Sequence, residues 1–392
     1  MSRILLAHPS SQLYGADRML VGSANCLVEA GCDVTVALPS PGSLDEHLRA
    51  AGAEIVLCRT AVLRKSALSP LGLLRLAVES VAALWCQIRL IRRVDADVVY
   101  ANTMTVPTWL LAGRLTRRRV VCHVHEAEDD AGRLSRLLLL LQLILAHEIV
   151  CNSQATARFV ASSAFARWAP RPVVVHNGIP LSDGLPKPPP VGRVKLLVVG
   201  RLSPRKGQDV AIRALAQLVG QGHDVELDLL GDVYEGYESF QQELLRLVQD
   251  LDLSGRVRLR GFVADTGPAY ETADIVLVPS RVEPFGNVAV EGLSAARPVV
   301  ASAVQGLVEI LGRGGGRLVP ADDPPALAAA ISALLELPDT EFLELGRLGS
   351  EQVRARFSEQ QYGRGLLAVL LPPRGRCSTN STARYEVDRG NQ

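Results

Sequence analysis

The sequence predicts an α/β protein built from two doubly wound, parallel-sheet domains, and three observations carry that reading. Short apolar runs alternate with helical stretches along nearly the whole chain, the pattern of parallel strands joined by crossover helices. The segment "NGIPLSDGLPKPPPVG" (177–192) is dense in Pro and Gly, lacks periodicity and interrupts that pattern once, after which it restarts. At 392 residues the chain exceeds one ordinary core, and its 48% apolar content can fill two.

In the first half, strands are expected at 3–8, 33–38, 54–58, 97–101, 119–124, 148–151 and 172–176, with helices near 16–30, 70–93, 105–115 and 133–146. After the linker, "RVKLLVVG" (193–200), "VELDLLG" (225–231), "VRLRGF" (257–262), "ADIVLVPS" (273–280) and "RPVVAS" (297–302) read as strands with helices between them. The expected division is a first domain over 1–176, a linker over 177–192 and a second domain over 193–357. A C-terminal helix at 358–371, placed to cross back, and a polar, disordered tail at 372–392 complete it. No repeat of solenoid period is present.

A formal net charge of +1 excludes a broad electrostatic case for nucleic acid as main partner. Residues 1–180 nevertheless carry 19 Lys/Arg against 14 Asp/Glu, and residues 181–392 carry 23 against 27, so the basic excess belongs to the first half. Lys65, Lys187, Lys195 and Lys206 are the only lysines. The seven cysteines include no C-x-x-C pair, and six lie in apolar surroundings, as small core residues in a reducing compartment do. "RILLAH" is too short for the apolar region of a signal peptide and reads as a strand. The most apolar stretch, "RLSRLLLLLQLILAHEIV", is uncharged only from Leu137 to Ala146, below the roughly 18 residues of a membrane span. A buried helix followed by a strand is expected there, and a cytoplasmic location for the protein.

Ligands of tandem doubly wound domains lie in the cleft, where strand-to-helix loops lead into helix N-termini. In "HPSSQLYGADRML" a strand ends at His8 and Gly15 opens a helix. Glycine there lets a phosphate or sugar approach free amides, although a tight turn explains it equally well. In "VVGRLSPRKGQD" (198–209) Arg201 and Lys206 flank a Pro turn, and two cations on one such loop suit a diphosphate. The loop is neither G-x-G-x-x-G nor Walker A. In "VPSRVEPFGNVAVEG" (278–292) a helix starts around Gly286 to Asn287. The amides of Phe285, Gly286, Asn287 and Val288 are then unpaired donors, an anion site. Glu291, one turn inside, can reach a ribose hydroxyl, and Glu283, before the turn, can hold hydroxyls of a transferred sugar. Such glutamates otherwise only stabilise the helix dipole; the company of Arg201 and Lys206 decides for the ligand.

In "VVCHVHEAEDD" (120–130) His123 and His125 fall on one face of a strand. With Glu126 or Glu128 they invite a zinc reading, but no third ligand at metal spacing is evident. One histidine contacting a sugar hydroxyl in the cleft is preferred. "DAD" (95–97) formally matches D-x-D, yet it precedes a strand on the side away from the cleft and reads as a solvated corner.

Together these residues resemble the retaining glycosyltransferases of the GT-B fold, two Rossmann-like domains facing each other across a cleft, and within them glycosyltransferase family 4. The resemblance covers residues 3–371 and rests on "EPFGNVAVE", the family's E-x7-E motif, supported by "GRLSPRKG" and "HNGI". It implies that Arg201 and Lys206 bind the donor diphosphate and neutralise the leaving group, that Glu283 holds the donor sugar with the amides of Phe285 to Val288 nearby, and that Glu291 holds the ribose. It further implies that "RGFV" faces the nucleobase through Gly261 to Val263 and that His125 touches the donor sugar. Gly15 then belongs to the first-domain glycine loop. That loop usually reads Gly-Gly; here Tyr14 replaces the first glycine, and Tyr14 and Asn102 are assigned to the acceptor side. The implied reaction moves a sugar from a nucleotide-diphosphate donor to a hydroxyl of a glycan, lipid-linked or small-molecule acceptor. Configuration is retained, with no bound metal and no cofactor besides the donor, and the diphosphate oxygen serves as base.

Two rival readings have signals of their own. A sugar-nucleotide epimerase or a phosphorylase of similar architecture is disfavoured by the E-x7-E pair and the lack of a phosphorylase cofactor-lysine pattern. A non-catalytic nucleotide-sugar-binding subunit is disfavoured by intact Arg201, Lys206, Glu283 and Glu291, with Tyr14 the only mark in its favour. Separately, Arg64, Lys65, Arg75, Arg89, Arg92, Arg93 and "RLTRRR" (114–119) stand with Leu73, Leu74, Leu76, Val81 and Leu84 in the first domain. A basic, partly amphipathic face suits peripheral docking on anionic lipid at the inner face of the membrane; plain solvation by the same arginines is the alternative.

Overall fold

The computed structural model describes residues 1–12, 15–63, 70–127, 132–233 and 236–371. Its first sheet holds β1 (Arg3–Ala7), β2 (Asp33–Leu38), β3 (Glu54–Leu57), β4 (Val98–Ala101), β5 (Arg119–Val124), β6 (Glu148–Cys151) and β7 (Pro172–Val174), in the order β3-β2-β1-β4-β5-β6-β7. The second holds β8 (Val194–Val199), β9 (Val225–Leu230), β10 (Val257–Gly261), β11 (Ile275–Val278), β12 (Val299–Ser302) and β13 (Gly316–Val319), in the order β10-β9-β8-β11-β12-β13. The strands pair in parallel throughout. In each sheet the order reverses beside its first strand, between β1 and β4 and between β8 and β11. A crevice opens at that point, outside the strand C-termini.

Strands covered by helices on both faces are continuously apolar rather than alternating, and β4, β11 and β12 are buried at every residue. β13 is a finding the sequence reading lacks: "GRLV" carries Arg317 and is only part-buried, so no apolar run marks it. The stretch expected as one helix at 133–146 divides into an α-helix, Arg133–Leu141, and a 3-10 turn, Gln142–Leu145. There the buried Gln142 amide donates to the carbonyls of Met104 and Leu139. No described helix is long and apolar enough to cross a membrane.

The "DAD" corner sits at the N-terminal end of β4, opposite the cleft. Arg3 pairs with Asp95 at 2.6 Å and Asp97 at 3.3 Å, and Arg118 pairs with Asp95 at 2.7 Å. These acids close a surface corner.

The chain passes between the sheets twice. At the crossings the Ile179 N–H donates to the Phe357 carbonyl at 2.9 Å. Helix Asp339–Phe357 ends there, and helix Glu359–Leu370 begins with its first turn capped by the Ser358 side chain. This last helix returns to the first sheet and packs on helix Gly15–Glu29. The Tyr362 hydroxyl lies 2.6 Å from Ser23 Oγ, and Arg119 donates to the Leu370 carbonyl at 2.7 Å. Phe285 and Phe357 meet edge-to-face at 5.4 Å with His176 against both, so one apolar core runs through the junction. Residues 372–392, the expected disordered tail, lie outside the described residues.

One glycine positions a functional loop. Gly207 closes the 3-10 turn Pro204–Lys206 at φ +68°, and a Cβ there would stand 2.0 Å from the Pro279 carbonyl oxygen. Gly222 has φ +94° but open space around it. Alanine at either position costs about 1–2 kcal/mol for the left-handed backbone; Gly207→Ala adds the collision. At about 2–4 °C per kcal/mol for a domain of this size, Gly222→Ala should lower Tm by a few degrees and Gly207→Ala by clearly more. Equal shifts in thermal melts would show that the contact with Pro279 is not what demands glycine.

Candidate active site

The C-terminal edges of the two sheets face each other, and their loops enclose a cavity of about 510 Å³, within the roughly 300–1,000 Å³ of small-molecule sites. From the second sheet, β8 leads into Arg201 and the turn that carries Lys206, and both line the cavity. Lys206 Nζ lies 2.6 Å from Glu283 Oε2, and the Ser280 hydroxyl donates to the same oxygen at 3.1 Å. The backbone of Glu283 is fixed as well. Its N–H donates to Gln305 Oε1 at 2.9 Å and its carbonyl accepts from the Gly306 N–H at 3.1 Å.

β11 then turns through Pro284, Phe285 and Gly286 into helix Asn287–Ser294, anchored by buried Ala289, Val290 and Leu293. Gly286 takes φ +116°, where a Cβ would meet Leu307 at 2.6 Å. The opening residues of this helix line the cavity, and Glu291 lines it one turn later. The Tyr270 hydroxyl donates to Glu291 Oε2 at 2.6 Å. Burial pushes the Glu291 carboxyl above the usual range, while the Tyr270 hydroxyl and then Arg18 and Lys206 pull it back. Burial, reinforced by the Glu291 charge, holds the Tyr270 hydroxyl far above its ordinary value, so it stays a donor.

The first sheet supplies the opposite wall. His125 follows β5, and its Nε2 lies 3.2 Å from Asn102 Oδ1. Asn102 Nδ2 lies 3.2 Å from His8 Nδ1, and His8 Nε2 lies 2.6 Å from Asp17 Oδ1. His123 is fully buried beneath, its ring 3.9 Å from that of His125 and its Nδ1 2.5 Å from the Tyr100 hydroxyl. Burial pushes His125 down to about 3 and His123 well below its ordinary value, so both rings are neutral at pH 7. Arg18 reaches across the cleft to the Ala264 carbonyl at 3.2 Å. Asn177 donates to Asn287 Oδ1 at 2.9 Å, and the Ser153 hydroxyl donates to the Pro284 carbonyl at 2.6 Å. Ser153 of the first domain and Asn177 at the start of the linker thereby hold the start of the second domain's helix in place.

Of the residues singled out from sequence, His125, Arg201, Lys206, Val263, Glu283, Phe285, Gly286, Asn287, Val288 and Glu291 share this cavity. Gly261 lies behind its wall; its carbonyl accepts from the Gly231 N–H at 2.9 Å and shapes the loop that presents Phe262 and Val263. Asn102, assigned to the acceptor side, is fully buried behind His125, its amide engaged by two histidines. Gly15 is the first residue of helix Gly15–Glu29. Tyr14 and Glu128 lie outside the described residues. Glu126 turns to Thr103 and the His125 N–H, and among the described residues no three His, Cys, Asp or Glu form a metal-holding group.

The sequence reading missed Asp17, Arg18, Asn152 and Asn177 on the cavity wall, and Tyr270 behind Glu291. Asn177 had a signal, the "HNGI" segment. Tyr270 had none, because its partner lies on another element.

The family described as Glycosyltransferase Family 4 matches residues 14–183, and that described as Glycosyl transferases group 1 matches residues 193–337. A D-inositol 3-phosphate glycosyltransferase of Kineococcus radiotolerans is 33% identical over 238 residues, 54% of this chain and 54% of that protein. A phosphatidyl-myo-inositol mannosyltransferase of Mycolicibacterium smegmatis is 31% identical over 260 residues, 62% of this chain and 63% of that protein. The chain thus aligns with little more than half the length of these curated relatives. Anabaena HepE, solved in complex with UDP-glucose, shares the fold at a TM-score of 0.79 and 24% identity, over 94% of this chain and 99% of that one. With both halves matched by complementary domains of one enzyme family, on two facing Rossmann-like sheets, the chain belongs to glycosyltransferase family 4, the glycosyl transferases of group 1.

Proposed function

We propose that the protein is a retaining glycosyltransferase moving a sugar from a nucleoside-diphosphate donor to a hydroxyl of a glycan, lipid-linked or small-molecule acceptor. The observation that carries it is the gathering of Arg201, Lys206 and the opening residues of helix Asn287–Ser294 around one cavity with Glu283 and Glu291. The names of the relatives, and the UDP-glucose bound by Anabaena HepE, support a nucleotide sugar as donor.

In this mechanism the bond between the anomeric carbon and the phosphate oxygen breaks as charge builds on the diphosphate. Arg201, Lys206 and the helix amides meet that charge from positions already fixed, without reorganisation at the moment of reaction. Lys206, held by Glu283, spans the diphosphate and sugar subsites. Glu283 accepts from hydroxyls of the transferred sugar. Glu291, with one oxygen held by Tyr270, accepts from the ribose with the other. The acceptor oxygen bonds to the anomeric carbon from the face the diphosphate leaves, and its proton passes to a diphosphate oxygen. No protein nucleophile and no metal take part.

The site of action in this reading is the cytoplasmic face of a membrane, reached through helix Pro70–Arg93. Leu74, Val78, Val81 and Trp85 repeat at i, i+4, i+7 and i+11 and are 64%, 65%, 72% and 64% exposed, one apolar stripe turned outward. Arg89 lies over Trp85 at 4.5 Å, and Arg92 continues the stripe. Leu76 and Leu84 are half-buried and do not belong to it. Arg118 and Arg119 of "RLTRRR" are engaged by Asp95 and Glu148. Arg64, Lys65 and the Leu73 side chain lie outside the described residues.

Arg201→Ala or Lys206→Ala should lower turnover by roughly tenfold to a thousandfold, the scale of losing one transition-state donor. Arg213→Ala, on a neighbouring exposed position, should be near neutral; equal losses at all three would sink the assignment. Glu283→Gln should depress turnover, whereas Glu291→Gln and Tyr270→Phe should chiefly weaken nucleoside-diphosphate affinity in calorimetric titrations. Because ionised Glu291 accepts more strongly than its protonated form and its pKa is raised, affinity should fall on acidification at a pH above the ordinary value of about 4.3. Glu291→Gln should lack that part of the acid response; an identical pH profile would refute the ribose role. Activity should survive EDTA, and a requirement restored by Mn or Mg would overturn the metal-free mechanism. In liposome flotation, salt-sensitive binding to anionic vesicles should be lost in Val81→Ser/Trp85→Ser, and no binding by the wild type would leave a soluble acceptor.

A further inference from the structure

We propose that Asp17, acting through His8 and Asn102, sets the tautomer of His125, so that His125 presents Nδ1 to the cleft as a hydrogen-bond acceptor. The inference rests on the reading above that His125 touches the transferred sugar. The chain Asp17–His8–Asn102–His125 is continuous, with contacts of 2.6, 3.2 and 3.2 Å, and its first three residues are at most 5% exposed. Its protons follow from one end. A carboxylate only accepts, so His8 gives its Nε2–H to Asp17, and Asn102 Nδ2, a donor, faces His8 Nδ1, which is therefore the acceptor of a neutral ring. The Asn102 amide must then turn its NH₂ to His8 and its oxygen to His125. That oxygen requires a donor, and His125 supplies it from Nε2. The remaining nitrogen, Nδ1, has no hydrogen-bond partner among the described residues, and His125 lines the cavity.

A free neutral imidazole divides between two tautomers, and which nitrogen carries the proton is set by the hydrogen bond the other makes. The difference matters chemically. A sugar losing its diphosphate gains positive charge at the anomeric centre. A lone pair on Nδ1 accepting a sugar hydroxyl turns the negative end of the imidazole dipole toward that charge, whereas Nδ1–H would turn the positive end. The effect appears when charge develops, so it belongs in kcat more than in KM. Asp17, His8 and Asn102 are positioning residues. Asp17 also lies in the first turn of helix Gly15–Glu29, where a carboxylate favours the helix dipole, but that role is indifferent to the imidazole proton.

The test is two-bond ¹H–¹⁵N correlation on the full-length protein without ligand, with His125 assigned by comparison with His125→Gln. The expected wild-type pattern is a single tautomer protonated at Nε2. Asp17→Asn, whose amide can both donate and accept, should move His125 to averaged shifts of mixed tautomers. It should also lower kcat by up to about tenfold, the scale of one hydrogen bond, with donor KM little changed. Asp17→Glu should restore the wild-type pattern. If Asp17→Asn fails to fold, Asn102→Ser cuts the chain at its middle, keeps the Asp17–His8 pair and should release His125 in the same way. A wild-type proton on Nδ1, or an unchanged His125 pattern in a folded variant, overturns the relay whatever the enzyme's activity. Full turnover in His125→Gln beside an intact Nε2–H pattern overturns instead the placing of His125 against the sugar, and the proposal with it.

Discussion

The packing of Phe285 against Phe357, with His176 set against both, is the contact on which the cleft depends. Either sheet alone offers half a site: cations, amides and glutamates on one side, an imidazole and Arg18 on the other. The junction holds their C-terminal edges toward each other. It is apolar and continuous with the core of both sheets, so parting them would return that surface to water. Glu309 adds a polar tie at the same place, through His176, the Gln154 N–H at 2.9 Å and, from its own carbonyl, Arg356 at 3.0 Å. The returning helix Glu359–Leu370 supplies the second chain passage and closes the arrangement at the far side.

Within the cleft, charges are arranged so that few are stranded. Lys206 and Glu283 satisfy each other, which matters because a part-buried ion left alone carries a desolvation cost that its pairing offsets. The two stacked histidines avoid the cost by staying neutral. Glu291 is the exception: buried enough to be pushed toward protonation, it is kept useful by the Tyr270 hydroxyl and the nearby cations. Arg201, Arg18 and the helix start then give the cavity a positive character on the side where an anion would lie. The Lys206–Glu283 pair also fixes where the ammonium lies on the cavity wall.

The apolar stripe on helix Pro70–Arg93 obeys the opposite logic. Its inner face, with Ala83, Leu90 and Ile91, is buried in the first core, as an amphipathic helix requires. Its outer face carries a second set of large apolar side chains that the domain itself does not cover. Two apolar faces on one helix exceed what folding needs, and the surplus is what an interface would use.

The sequence by itself determined the strands and the principal site loops. Parallel strands are local apolar runs, and the E-x7-E spacing places Glu283 before a helix and Glu291 one turn inside it, whatever surrounds them. The half-exposed β13 escaped because a short edge strand has no run to read. Which polar side chains meet was decided only by the tertiary structure. His8 and Asn102 are 94 positions apart and touch because β1 and β4 are neighbours in the sheet, and Asn102 thereby bonds His125 from behind. Tyr270 meets Glu291, and Arg18 meets Ala264 across the cleft, through packing that no spacing encodes. Local periodicity follows from backbone geometry within a few residues, whereas these contacts follow from sheet order and the Phe285–Phe357 junction, which exist only once distant segments have come together.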